Sequence, residues 1–172
     1  MFRNKSGFVL VKKCVRTAAM LQTAEAISTA VSIFKDEANR HRKYLKAIGA
    51  GTYFSESFNA LMKTYFEPLN IPEYKYGSEI FDKTGISDKI YRDMRNGDVG
   101  YCPTHRMITA LCAGFDFDVK VADYLLKKGG KSFSVSDEHI AFRTILTAFR
   151  GNDIYAKNDY LEAMGYGRLT EA

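Results

Sequence analysis

Ser87, Lys89, Arg92 and Asp93 bring hydrogen-bonding and charged groups to one side of a short stretch, Tyr76 to Asn96, YGSEIFDKTGISDKIYRDMRN. An arginine fork engages two acceptors at once, as on the major-groove edge of guanine or on a phosphate. Lysine and serine donate singly, and a carboxylate accepts from an amine such as that of cytosine. Around them lie Lys83, Arg95 and Asn96, and the backbone amides near Tyr76 and Gly77, groups that suit phosphate oxygens. A second reading stands for Arg92: Asp88 lies four residues earlier, the spacing of an ion pair along a helix surface.

Such groups act together only on an element that fixes their directions. The spacing predicts two short helices either side of a tight turn. Ile80 and Phe81 give the first an apolar face, Gly85-Ile86 make the turn, and Ser87 caps the second. Gly85 is the residue type wanted where a helix ends in the left-handed conformation. On the second helix Ile90, Tyr91 and Met94 lie three and four apart and face inward, whereas Ser87, Asp88, Lys89, Arg92, Asp93, Arg95 and Asn96 point out. A polar, basic front on an apolar back, set on a glycine turn, is the arrangement of helix-turn-helix nucleic-acid readers, and also of ordinary packed helix pairs.

With 172 residues, 46% hydrophobic and 26% charged, the chain is long enough for a sizeable core and has a globular composition. Cys14, Cys102 and Cys112 are odd in number and lack CxxC spacing, which points to a reducing, cytoplasmic setting rather than a disulfide framework. A zinc site at Cys102, His105 and Cys112 would lack a fourth ligand. The apolar run Phe8–Val11 is cut short by Lys12, Lys13 and Arg16, so neither a signal peptide nor a membrane span is expected. Charge is uneven. Residues 1–66 carry eleven Lys+Arg against four Asp+Glu, and residues 67–172 carry fourteen against sixteen, balances of +7 and −2 within the net +5. Any general attraction to a polyanion therefore comes from the front of the chain.

Residues 8–11 read as a short strand or as a frayed end. From Val15 to Ile48 the residues Met20, Ala24, Ile27, Val31, Phe34, Ala38, His41, Leu45 and Ile48 recur in steps of four and three, which predicts one long helix. That seam either packs on its own domain or forms a two-stranded coiled coil and a homodimer. Arg40, Arg42, Lys43 and Lys46 form a solvated face or rest against phosphate. Gly49-Ala50-Gly51 ends the helix and sets the expected boundary between an N-terminal extension, 1–50, and a helical domain, 51–172. Ser55 or Ser57 is expected to cap the next helix, which Pro68 and Pro72 close. Beyond the helix pair, Thr104, Asp116 or Asp118, Ser136 and Asp153 are expected to start four more helices. No convincing strand follows residue 13, and the fold class expected is all-α.

Residues 53–170 resemble the lambda-repressor-like, Xre-type helix-turn-helix family, as it occurs in proteins of mobile elements and of Gram-positive bacteria. The resemblance rests on the opener FSESFNALM (Phe54–Met62), the motif SEIFDKTGISDKIYRDMRNG (Ser78–Gly97), Pro103-Thr104, the trailing YLLKKGG (Tyr124–Gly130) and an N-x-x-L-x-x-x-G ending, Asn158 to Gly165. The tail is similar to a subset in which such a domain follows another module, in some cases a zinc metallopeptidase. Two positions depart from the family. Phe81 stands four before the turn glycine, where a small residue is usual, and Tyr91 stands six after it, where an aliphatic is usual. These two are expected to stack as a matched aromatic pair.

The resemblance implies a sequence-specific DNA-binding regulator of double-stranded DNA, dimeric and cytoplasmic. Ser87, Lys89, Arg92 and Asp93 would face base edges, and Tyr76, Gly77, Lys83, Arg95 and Asn96 the phosphates. A non-catalytic module binding a protein partner on the same fold is the alternative. No HExxH, phosphate-cradling glycine loop or cofactor motif is present in the sequence, so neither an enzyme nor a bound cofactor is expected.

Overall fold

The computed structural model describes residues 24–97 and 101–170. The possible strand at residues 8–11, the start of the long helix and Cys14 fall outside them. Among the described residues there are eight α-helices and no strand. They are α1 (Ala24–Ala50), α2 (Phe54–Phe66), α3 (Tyr76–Thr84), α4 (Asp88–Asn96), α5 (His105–Gly114), α6 (Val119–Lys128), α7 (Asp137–Thr147) and α8 (Ile154–Ala163). None is long and apolar enough to cross a membrane. The chain divides into two compact units, 1–43 and 44–172, and the division falls inside α1.

In the first unit Ile27 is 62% exposed, and Val31, Ile33 and Phe34 are exposed as well. Burial changes along the expected seam. Its last members, Leu45 and Ile48, pack with Tyr44 into the core of the second unit, where Ile48 is fully buried. The final turns of α1 thus belong to that core.

The second unit is organised around α5, in which Ile108 through Ala113 are all buried. A helix apolar on every side is a central one, and α3, α6, α7 and α8 all pack on it. Beside it lies an aromatic cluster. Tyr65 meets Phe115 edge-on at 4.8 Å, Phe66 stacks on Tyr76 at 4.4 Å, and Tyr44 meets Phe117 at 5.0 Å. Between the two phenylalanines Asp116 takes the left-handed conformation, φ 53°, which Asp tolerates better than most residues. Its carboxylate accepts from the Gly151 amide at 2.8 Å and faces the buried ammonium of Lys157 at 3.6 Å. Lys157 in turn donates to the carbonyl of Ala113 at 2.7 Å, at the end of α5, where a cation is favoured.

The helix starts follow their caps. Ser87, Thr104, Ser136 and Asp153 each accept from an amide of the first turn. Of the two acids offered for α6, Asp118 is the cap, accepting from Lys120 at 2.8 Å, because Asp116 is held in the chain reversal. At α2 the expected serine cap is replaced. Glu56 reaches back to the amides of Thr52 (2.7 Å) and Tyr53 (3.4 Å). Ser57 is instead buried inside the helix and donates to the carbonyl of Ile48 at 2.9 Å, closing the end of α1. Gly51 permits that approach, since a Cβ there would lie 2.5 Å from the Ser57 nitrogen.

His105 and His139 stack with ring centroids 4.2 Å apart at the loop between α6 and α7. Nε2 of His105 lies 2.9 Å from the carbonyl of Ser132, and Nδ1 of His139 accepts from the Ser134 amide at 2.9 Å. Burial, then the charge on His105, pushes the His139 imidazole below its ordinary pKa of 6.5, against the pull of Glu138. The folded state therefore resists a proton that the unfolded chain accepts. This contribution is whole above about pH 6.5 and is lost as pH falls through that value toward the depressed folded one. Thermal unfolding followed between about pH 7.5 and 5 should show Tm falling on acidification, and less steeply in His139→Gln. Equal slopes in the two proteins would contradict it.

Candidate nucleic-acid interface

The helix pair α3–α4 is joined by three residues, Gly85, Ile86 and Ser87. Gly85 is left-handed, φ 69°, and its amide donates to Phe81 at 2.7 Å, which ends α3. The turn is then closed by a side chain. Thr84, fully buried, donates its hydroxyl to Ile80 at 2.6 Å and accepts from the Ile86 amide at 3.0 Å. Ile86 is buried beside it, and the Ser87 hydroxyl accepts from the Ile90 amide to start α4. Two contacts fix the end of α3 from outside the pair. A Cβ on Gly114 would lie 2.3 Å from the Lys83 carbonyl oxygen, so α5 and α3 touch backbone to backbone. The Thr170 hydroxyl donates to the Thr84 carbonyl at 2.7 Å, and Leu169, buried, donates its amide to Asn158.

The close approach of α3 and α4 falls at Gly77, where a Cβ would lie 3.1 Å from the Tyr91 ring and from Oδ1 of Asp88. The expected Phe81–Tyr91 pair does not form. Phe81 is 54% exposed, off the Tyr76-Gly77-Ile80-Thr84 face that α3 buries. Tyr91 is buried and meets Phe58 edge-on at 6.2 Å. Burial raises the Tyr91 phenol above its ordinary pKa, with Arg95 acting the other way. Met94 is fully buried, and the side-chain amide of Asn59 on α2 donates to the Arg95 carbonyl at 3.0 Å, holding the far end of α4.

The back of α4 is thus fixed and its front is open. Ser87, Asp88, Lys89, Arg92, Asp93 and Asn96 are all exposed. The Arg92 side chain is 68% exposed and ion-paired with Asp88, the arrangement offered by the sequence as the second reading for this arginine. The residues expected at phosphates are more scattered. Arg95 is half-buried and paired with Glu73 at 2.5 Å, and the Lys83 ammonium lies 5.9 Å from the Phe115 ring centroid. Tyr76 and Gly77 are buried, and the Tyr76 amide already donates to Glu73 in the short 3-10 turn that precedes α3. The expected phosphate contact at these two residues therefore loses its first amide donor. Over residues 76–97 four acids (Glu79, Asp82, Asp88, Asp93) balance four bases (Lys83, Lys89, Arg92, Arg95).

Among the described residues no group of three or more His, Cys, Asp and Glu side chains is placed to hold a metal ion, so Cys102, His105 and Cys112 do not form one. Burial pushes the Cys112 thiol far above its usual range. Comparison of the chain with protein-family models, curated proteins and solved structures finds no match in any of the three.

Thr84, Gly77, Gly114 and Asn59 position α4; sequence reasoning passed over Thr84, Gly114 and Asn59 and read Gly77 as a phosphate contact rather than as the close approach of two helices. Thr84→Val keeps the shape of the side chain but leaves the buried Ile86 amide without an acceptor. It should lower stability by about 1–3 kcal/mol in urea unfolding; a loss well below that range would mean that the hydroxyl does not hold the turn.

Proposed function

We propose that this chain is a sequence-specific DNA-binding regulator of the helix-turn-helix type, non-catalytic, dimeric and cytoplasmic. The observation that carries the reading is the open front of α4 on a back held by Tyr91, Met94 and the Gly85 turn. A helix of nine residues is about 13 Å long and fits lengthwise into a major groove. In that pose Ser87, Lys89, Arg92 and Asp93 meet base edges and Asn96 meets phosphate. Arg92 is the principal reader, its fork turning from Asp88 to the two acceptors of guanine. The exchange is cheap, because an exposed ion pair is worth only about 0–1 kcal/mol. Arg95 would reach phosphate only by leaving Glu73. The exposed Ile27, Val31 and Phe34 supply the face for the dimer, which light scattering of the full chain should report as twice the monomer mass; a monomer at all concentrations would remove it.

A second reading, a module that binds a protein partner on the same fold, is favoured by one observation. Residues 44–172 carry sixteen Lys+Arg against seventeen Asp+Glu, a balance of −1. Fluorescence anisotropy with mixed-sequence and selected duplexes separates the two. DNA binding predicts salt-sensitive association and, for Arg92→Ala, a loss of about 1–3 kcal/mol on the preferred site with relaxed choice at one base pair. No association at low salt would favour the protein-partner reading, and an equal loss on every sequence would make Arg92 a phosphate contact.

A further inference from the structure

The two units differ in how their arginines are neutralised. All six arginines of residues 44–172 face a carboxylate: Arg92 pairs with Asp88, Arg95 with Glu73, Arg106 with Glu138, Arg143 with Asp123, Arg150 with Asp116 and Arg168 with Glu162. In the first unit the described cations are Lys35, Arg40, Arg42 and Lys43, all exposed on α1. None of the four has an ion pair among the described residues; Arg42 bonds only to the amide oxygen of Asn39, at 3.4 Å. Lys35, Asn39 and Arg42 follow at four and three residues, one above another on the helix, with Lys43 beside them and Arg40, three residues before Lys43, further round the helix. The apolar residues Ile27, Val31 and Phe34 lie on the adjoining arc in the preceding turns, Val31 four residues before Lys35.

We infer that this row on α1 is the phosphate-holding surface of the protein, and that the backbone of double-stranded DNA is what it holds. Resting on the DNA-binding reading above, the inference divides the work: α1 supplies sequence-independent affinity and α4 supplies choice. Cations without carboxylates release the duplex's counterions at no cost in broken ion pairs, whereas each arginine of the second unit must first give up its own acid. The charge balance of the chain runs the same way, +6 over residues 1–43 (nine Lys+Arg, three Asp+Glu) against −1 over the remainder.

The test is the salt dependence of duplex binding by the full chain, measured by anisotropy for three proteins. In Lys35→Ala/Arg40→Ala/Arg42→Ala/Lys43→Ala the slope of log affinity against log salt should shrink by about 3–4, with equal weakening on all sequences. The charge-keeping variant Arg40→Lys/Arg42→Lys should keep the wild-type slope, which separates charge from any loss of helix. If wild type binds and the fourfold variant keeps its slope, the phosphate surface lies elsewhere and the inference fails while the DNA reading stands. If wild type binds no duplex at low salt, both fall.

Discussion

At the end of α3 the molecule leaves no room for a side chain. A Cβ on Gly114 would sit 2.3 Å from the Lys83 carbonyl oxygen and 2.6 Å from Cγ2 of Thr84, so two helices meet through their backbones. That contact fixes where α3 stops, and the buried Thr84 hydroxyl and left-handed Gly85 then fix how the chain leaves it. The direction of α4 follows. It is anchored by Tyr91 and Met94 beneath, by Gly77 alongside and by Asn59 at its far end. Buried hydrogen bonds and backbone contacts of this kind are costly to distort, which is why a nine-residue helix can present a fixed front.

Electrostatics act at a second level. The arginines of residues 44–172 are arranged as surface ion pairs, which add little stability and exchange partners readily. Their effect is to bring the surface near neutrality, so the helix pair attracts a polyanion weakly at long range. On the proposed reading, a front that is charged but near neutral in sum supplies selectivity, and the exposed cations of α1 supply general affinity.

Much of this was legible in the sequence where one residue type has one physical use. Gly85 marked the turn, Ser87, Thr104, Ser136 and Asp153 marked helix starts, and the three-and-four spacing of Ile90, Tyr91 and Met94 marked the inner face of α4. The all-helical class followed from the same signals. What was not legible depended on partners distant in the chain. Phe81 reads with Ile80 as the apolar face of α3 and as a partner for Tyr91, yet the inward arc of α3 is set by Gly77 against Tyr91, which places Phe81 outside. Ser57 has the chemistry of a cap and is used to close α1 instead, since Glu56 had taken its task. Likewise the seam of α1 has one period throughout, but Leu45 and Ile48 near its end pack in a core while Ile27, Val31 and Phe34 are exposed. Gly114 and Thr170 carry no local signal at all, because each acts on a residue brought near only by folding.

The central claim is that one rigid front, that of α4, meets the bases. Backbone and side-chain NMR shifts of the full chain, titrated with a selected duplex, test it most directly. The account predicts the largest perturbations at Ser87, Lys89, Arg92, Asp93 and Asn96, with Tyr91 and Met94 little changed. Perturbations centred on another helix, with those five residues silent, would contradict it.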